Sequence, residues 1–355
     1  MSSILGMLIF ALGGLAGATF LLPARGIKGW AYESWWFVYV FVGLILSPAL
    51  ICCLLVPDVW AVIGSASPSV LSKCVLFGAL WGIGGLTWGL MVRYLGIGLG
   101  LAIGCGLCAA TGTILPPVMN GQSASLLFDA SGALVTGKVI VLLGVLGSLV
   151  GIGFVGFAGK CKENELPEAE KRKAVAEFNF KKGIVVALVS GVCSACMNLG
   201  LQSGGGIEAA AYAAAVKAGV VAEGAPFPWQ GMPVMLVVLL GGFVVSAAWC
   251  LQQNYVHRTF RDYYTRLSVR NVLLCVAIGV IWVLQFVCTK AGEPLMGDLK
   301  YISFAVMMAS TIFFSTIVGV VTGEWNGTSL RTKTMLALGT MVLVISFTVM
   351  SIGSK

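Results

Sequence analysis

Long apolar runs alternate along the chain with short polar interruptions. Ten such runs can be read, at roughly residues 4–22, 35–56, 73–92, 95–118, 138–158, 183–202, 232–254, 271–290, 301–321 and 334–353. A bilayer core about 30 Å thick is crossed by about 20 apolar helical residues. In lipid the backbone amides must be satisfied within the segment, which a helix does. Each run therefore predicts one membrane-crossing helix, and the expected fold class is an all-α integral membrane protein with ten transmembrane helices.

The polar interruptions give the organisation. Residues 160–182, GKCKENELPEAEKRKAVAEFNFKK from Gly159, form the one strongly charged segment and mix both signs. That pattern reads as a solvated connector, dividing the chain into 1–159 and 183–355. Five spans precede it and five follow. Short matches recur in order across the divide: Gly14-Leu-Ala-Gly-Ala18 with Gly191-Val-Cys-Ser-Ala195, and Gly78-Ala-Leu-Trp81 with Gly279-Val-Ile-Trp282. Because five is odd, two such halves have opposite orientations, so the expectation is two inverted five-helix repeats with a site where they meet near mid-membrane. A long segment, 203–231, joins the sixth and seventh spans; its alanine-rich part carries Glu208, Lys217 and Glu223 and predicts a short surface helix, with a lid over a site as the alternative.

Glycine is concentrated at 77–121. It recurs at 78, 82, 85 and 89, then at 96, 98, 100, 104, 106 and 112. Spacings of three and four put small residues on one helix face, where a neighbouring backbone can approach closely. In a soluble helix each glycine would cost about 1 kcal/mol against alanine, so this density belongs to tightly packed membrane helices.

Composition agrees. Of 355 residues, 58% are hydrophobic and 10% charged, against about 25% charged in soluble domains. The net charge of +8 does not point to nucleic acid, because Lys and Arg in such a chain chiefly set orientation. Sixteen of the 22 lysines and arginines fall in loops after odd-numbered spans. The positive-inside rule then places the connector in the cytoplasm and both termini outside. The first run lacks a basic leader and is followed by Pro23-Ala-Arg-Gly-Ile-Lys-Gly29, which reads as a first span rather than a cleaved signal. Eleven cysteines lie almost all in apolar runs. Cys193 and Cys196 have CxxC spacing without a second pair, and read as small buried hydrophobes.

Enzyme chemistry finds little support. His257 is the single histidine, reading as a solvated loop residue beside Arg258 and Arg261; there is no HExxH, Walker loop or paired-carboxylate motif. No cofactor or metal is expected. A channel filter is not evident either. Polar and aromatic residues inside spans point instead to a transporter for a small neutral solute. Trp81, Trp88, Asn198, Gln202, Trp282 and Gln285 are the candidate substrate-binding residues, since aromatic faces cover the apolar side of a sugar ring and amides meet its hydroxyls. Each has a plainer alternative, such as a tryptophan anchored in headgroups. Glu33 opens the second span and Glu324 closes the ninth, and a partly desolvated carboxylate can take up and release a proton. These two, with Arg93 as a partner for one of them, are the proton-coupling candidates; interfacial anchoring is the alternative for each.

Several stretches are specific enough to name a family. They are Phe77-Gly-Ala-Leu-Trp-Gly-Ile-Gly84, Met91-Val-Arg-Tyr-Leu-Gly96, Asn120-Gly121, Glu177-Phe-Asn-Phe-Lys-Lys-Gly183, Trp282-Val-Leu-Gln-Phe286, Tyr301-Ile-Ser303 and Glu324-Trp-Asn326, with Lys28-Gly-Trp-Ala-Tyr-Glu33 near the start. Over nearly its whole length the chain resembles the bacterial L-rhamnose–proton symporter family of the drug/metabolite transporter superfamily. The resemblance implies uptake of a 6-deoxyhexose with a proton across the inner membrane. Gly85-Leu-Thr-Trp88, Met197-Asn-Leu-Gly-Leu-Gln202 and Val287-Cys-Thr-Lys290 depart from the family pattern, which leaves a related deoxy or neutral sugar open. Sodium coupling, or export of a metabolite or drug on the same fold, are the alternative functions. The expected partners are thus a sugar, a proton (with Na⁺ as the other coupling ion) and membrane lipid.

Overall fold

The computed structural model describes residues 2–119, 121, 123–129, 132–167, 175, 177–292, 295 and 303–353. Asn120, Lys300, Tyr301, Ile302, Lys355 and connector residues 168–174 and 176 lie outside the described residues.

The described chain is helical: α1 (Ser2–Thr19), α2 (Tyr32–Val40), α3 (Ser47–Leu55), α4 (Val59–Gly64), α5 (Pro68–Leu95), α6 (Ile97–Met119), α7 (Thr136–Glu165), α8 (Phe180–Ser203), α9 (Gly205–Lys217), α10 (Met232–His257), α11 (Val269–Gly292), α12 (Ser303–Val321) and α13 (Leu330–Gly353). Among the described residues, nine segments are long and apolar enough to cross a bilayer, and Val306–Val321 within α12 is a shorter apolar helix. The 13 residues of α9 extend only about 20 Å at 1.5 Å each, so this helix of the long 203–231 segment does not span. The second span is interrupted: α2 passes through a π-helical turn, Phe41–Leu46, into α3. Pro48 near the start of α3 has no N–H to offer the preceding turn, which loosens the ladder where the wider turn forms.

Two compact units gather these helices, Met1–Thr19 with Leu86–Ala195 and Ala291–Lys355, and Phe20–Gly85 with Cys196–Lys290. In the first, α7 packs along α13 and α1 along α12, while α12 also meets α6 and α13. Small residues set these approaches. A β-carbon on Gly137 would lie 2.6 Å from the Gly353 carbonyl oxygen, and one on Gly14 would lie 2.5 Å from Ser310 Cβ.

In the second unit α10 is central, packing on α2, the π turn, α3 and α9. The N-terminal part of α5 crosses α10 with backbones almost touching. A β-carbon on Gly78 would stand 1.9 Å from the Val238 carbonyl oxygen, and one on Gly241 would stand 2.0 Å from that of Val75. The glycine face of α5 at 78 and 82 thus has its partner in α10, where Gly82 meets Gly242; Gly85 has nothing within 4 Å.

Candidate functional site

Within the second unit the first candidate cluster is aromatic. Trp81 on α5 and Trp282 on α11 have ring centroids 6.0 Å apart with planes at 43°. Phe286, one turn further along α11, lies 5.0 Å from Trp282 at 60°. Gly242 makes room for the Trp81 ring, since a β-carbon there would fall 2.7 Å from Trp81 Cε3. Trp282 is buried and Trp81 half-buried. Gln285 donates from Nε2 to the Trp282 carbonyl oxygen at 2.9 Å, so its amide is oriented beside the rings. On α8, Asn198 and Gln202 are exposed and, four residues apart, share a helix face. Tilted aromatic faces with an oriented amide suit a ligand having one apolar and one hydroxylated face. Trp88 falls in the other unit, its ring against the space above Gly104 beside Met91.

The second cluster surrounds Glu33, which is 6% exposed. Its Oε1 lies 2.9 Å from His257 Nδ1 and accepts from the Thr259 hydroxyl at 3.0 Å. Thr259 Oγ is also 2.9 Å from Asn254 Oδ1. Ser34 Oγ lies 2.9 Å from Asn254 Oδ1 and 2.8 Å from Asp262 Oδ2. A hydroxyl carries one proton, so Ser34 and Thr259 each serve one acceptor at a time. Asp262 also accepts the Ala31 N–H at 2.9 Å, which ties the start of α2 to the 3₁₀ turn Phe260–Tyr263. Asn254 Nδ2 donates to the Cys250 carbonyl oxygen and to Tyr263 Oη, which donates to the Ser34 carbonyl oxygen. Burial pushes the Tyr263 hydroxyl up to about 12, so it remains a donor at neutral pH.

His257 is solvent-exposed as expected, but it is the last residue of α10 rather than a loop residue, and its ring meets Glu33. Arg258 after it takes a left-handed conformation and stops the helix. Gln252, Gln253, Asn254 and His257 make the C-terminal end of α10 polar, which in sequence reads as a helix emerging from the membrane rather than as a site. Ser34 on α2 and the turn that carries Thr259, Asp262 and Tyr263 lie more than 200 residues apart, and their convergence has no local signature.

In the first unit, Glu324 is 1% exposed. Its Oε1 accepts the Ile97 N–H at 2.9 Å and its Oε2 the Gly98 N–H at 3.1 Å. The carboxylate thus sits at the N-terminus of α6, where unpaired amides and the helix dipole stabilise negative charge. Lys162, near the end of α7, is also 1% exposed and interacts electrostatically with Glu324. Its Nζ lies 4.9 Å from the centroids of both Phe178 and Trp325. Among the described residues Nζ has no hydrogen-bond partner, so the two ring faces and the carboxylate are its described stabilisation. In sequence, Lys162 was indistinguishable from its charged neighbours. Arg93 pairs with Glu177 of the connector, both half-exposed.

A helical chain crossing the bilayer many times, with aromatic and amide side chains inside its spans and a buried carboxylate network at one helix start, has the makings of a polytopic membrane transporter. The chain belongs to the family described as L-rhamnose-proton symport protein (RhaT), whose model matches residues 1–355. It is 33% identical over 362 residues to an L-rhamnose-proton symporter of Escherichia coli, covering 99% of both chains. L-rhamnose-proton symporters of Shigella sonnei and Shigella flexneri are each 34% identical over 362 residues, again over 99% of both chains. The family is one of transporters rather than enzymes.

Proposed function

We propose that this protein is a secondary active transporter that takes up L-rhamnose, or a closely related deoxy or neutral sugar, together with a proton. The near-full-length similarity to L-rhamnose-proton symporters carries this reading. The paired Trp81 and Trp282 rings and the Gln285 amide beside them support the sugar class, because 6-deoxyhexoses present a methyl group and ring C–H faces as well as hydroxyls. Asn198 and Gln202 complete the proposed binding set, and Trp88 belongs to it by its place in the sequence.

The proposed architecture is ten transmembrane helices in two inverted five-helix repeats, 1–159 and 183–355, with α12 as the ninth span. The connector 160–182 is cytoplasmic, the 203–231 segment external, and both termini periplasmic in a bacterial inner membrane. The repeats move against each other to give alternating access.

For the coupling proton, Glu33 is the preferred carrier. Both oxygens of Glu324 accept backbone amides, which favours a fixed anion, whereas Glu33 touches a titratable ring. Arg93, paired with Glu177, anchors the connector. The test uses purified protein in liposomes. An inward proton gradient should drive accumulation of labelled L-rhamnose and collapse on adding a protonophore. Glu33→Gln should abolish accumulation while sugar-for-sugar counterflow persists. Accumulation that follows a sodium gradient instead overturns the coupling, and net loss of sugar from the vesicles overturns the direction.

A further inference from the structure

Glu33 and His257 differ sharply in their access to water. The Glu33 side chain is 8% exposed and that of His257 55%, with 2.9 Å between Oε1 and Nδ1. A sealed carboxylate that cycles between acid and anion needs a route for its proton. Imidazole titrates closest to neutrality of all side chains and has two nitrogens facing in different directions. One can meet the carboxylate while the other meets solvent.

We infer that His257 is the relay through which Glu33 exchanges its proton with water at the C-terminal end of α10. This rests on the assignment of Glu33 as the carrier. On release, the Glu33 acid gives its proton to Nδ1, the O–H bond breaking as the N–H bond forms, and the imidazolium loses a proton from Nε2 to water. Loading is the reverse, and the exposed ring resets its tautomer through solvent. The ionised Oε1 left behind accepts the Thr259 hydroxyl, whose proton can otherwise turn to Asn254 Oδ1. That switch lets one small rotation follow the charge on Glu33.

Other titratable groups bear on the pair from each neighbouring segment. On α10, Cys250 is coupled electrostatically to Glu33. On the 3₁₀ turn, Asp262 is engaged by the Ala31 N–H and Ser34, and Tyr263 is held by Asn254 and Ser34. Arg258 and Arg261 follow His257 in the chain. None of these other groups is recorded in contact with Oε1, which makes His257 the titratable group placed to relay its proton.

The experiment compares Glu33→Gln, His257→Gln and His257→Ala in liposomes with lumenal and external pH clamped separately. Sugar counterflow and gradient-driven accumulation are read in parallel. Positioned proton transfer is worth about 10²–10⁴-fold on the step it serves, and with other steps sharing control His257→Gln should slow gradient-driven uptake about tenfold. Its rate should lose the dependence on pH that wild type shows on the His257 side. Added imidazole should restore His257→Ala and leave wild type unchanged. Wild-type rate and pH profile in His257→Gln, with Glu33→Gln uncoupled, overturns the relay alone. Equal loss of counterflow and accumulation in the histidine variants, without imidazole rescue, assigns His257 a structural role and also overturns it. Glu33→Gln that still accumulates sugar overturns the carrier assignment.

Discussion

A β-carbon on Gly96 would stand 2.5 Å from Glu324 Oε2, and Gly96 itself has φ +87°. The residue between α5 and α6 must take a left-handed turn and also leave room for the carboxylate that accepts the first amides of α6. Both demands fall on one position, and they predict different variants. If conformation alone mattered, Asn would be tolerated there far better than Ala. Because the carboxylate fills the space, Gly96→Ala and Gly96→Asn should both lower thermal stability, the Ala variant by at least about 1–2 kcal/mol from backbone strain. Fluorescence-monitored melting of the purified variants checks this; an Asn variant as stable as wild type would show that the contact with Glu324 is dispensable.

The close crossing of α5 and α10 makes a second prediction. Gly78 and Gly241 each bring a backbone carbonyl within about 2 Å of where a side chain would begin, so Gly241→Val must push the helices apart. Loss of dispersion contacts and overpacking cost about 1–3 kcal/mol or more, and folded yield with uptake should fall together. Gly85→Ala, where nothing lies within 4 Å, should be harmless and gain helix propensity. Size-exclusion profiles and labelled-sugar uptake of the two variants decide it; wild-type behaviour of Gly241→Val would contradict the crossing.

That contrast also shows what the sequence could reveal. Glycine spacing in 77–89 announced a close helix contact, because small residues at three- and four-residue intervals have few other uses in lipid. It did not say which helix would fill the face, since partner choice depends on the matching glycines at 241 and 242, far along the chain. The apolar runs likewise foretold the nine candidate spans found among the described residues, while the π turn at Phe41–Leu46 had only Pro48 as a local hint. Trp81 and Trp282 could be paired from the matching Gly-x-x-Trp segments. Glu33 could be picked out as a lone acid at a span's edge. Its partners could not, because His257, Thr259 and Asp262 look like ordinary loop-flanking residues until α10 and the turn after it fold back on α2.

The tryptophan pair supports a third prediction. Trp81→Phe and Trp282→Phe keep an aromatic body but remove about half of the stacking face, and each should raise the KM for L-rhamnose about tenfold, equivalent to about 1.4 kcal/mol. Because the rings lie 6.0 Å apart, their effects should not add, and the double variant should lose less than the product of the two. Initial-rate uptake across a concentration series measures this. Strict additivity would mean that the two rings act on separate parts of the substrate, and an unchanged KM in both would remove them from the site.

Lys162 provides the last prediction. An ammonium at 1% exposure, with two aromatic faces at 4.9 Å and an electrostatic partner in Glu324, is expensive to keep and more expensive to break. Removing one member of a buried pair costs about 3–5 kcal/mol, because the other is left uncompensated, whereas replacing both is often neutral. Here the Ile97 and Gly98 amides still hold Glu324, so Lys162→Met should cost the lower part of that range, and Glu324→Gln alone should cost more by stranding the lysine between Phe178 and Trp325. The double variant Lys162→Met with Glu324→Gln should recover most of the loss, since neither charge then remains buried. Melting of all four proteins in detergent forms the cycle. A double variant no more stable than Glu324→Gln alone would show that the lysine is held by its aromatic neighbours rather than by the carboxylate, and that the anion at the start of α6 is stabilised by the helix alone.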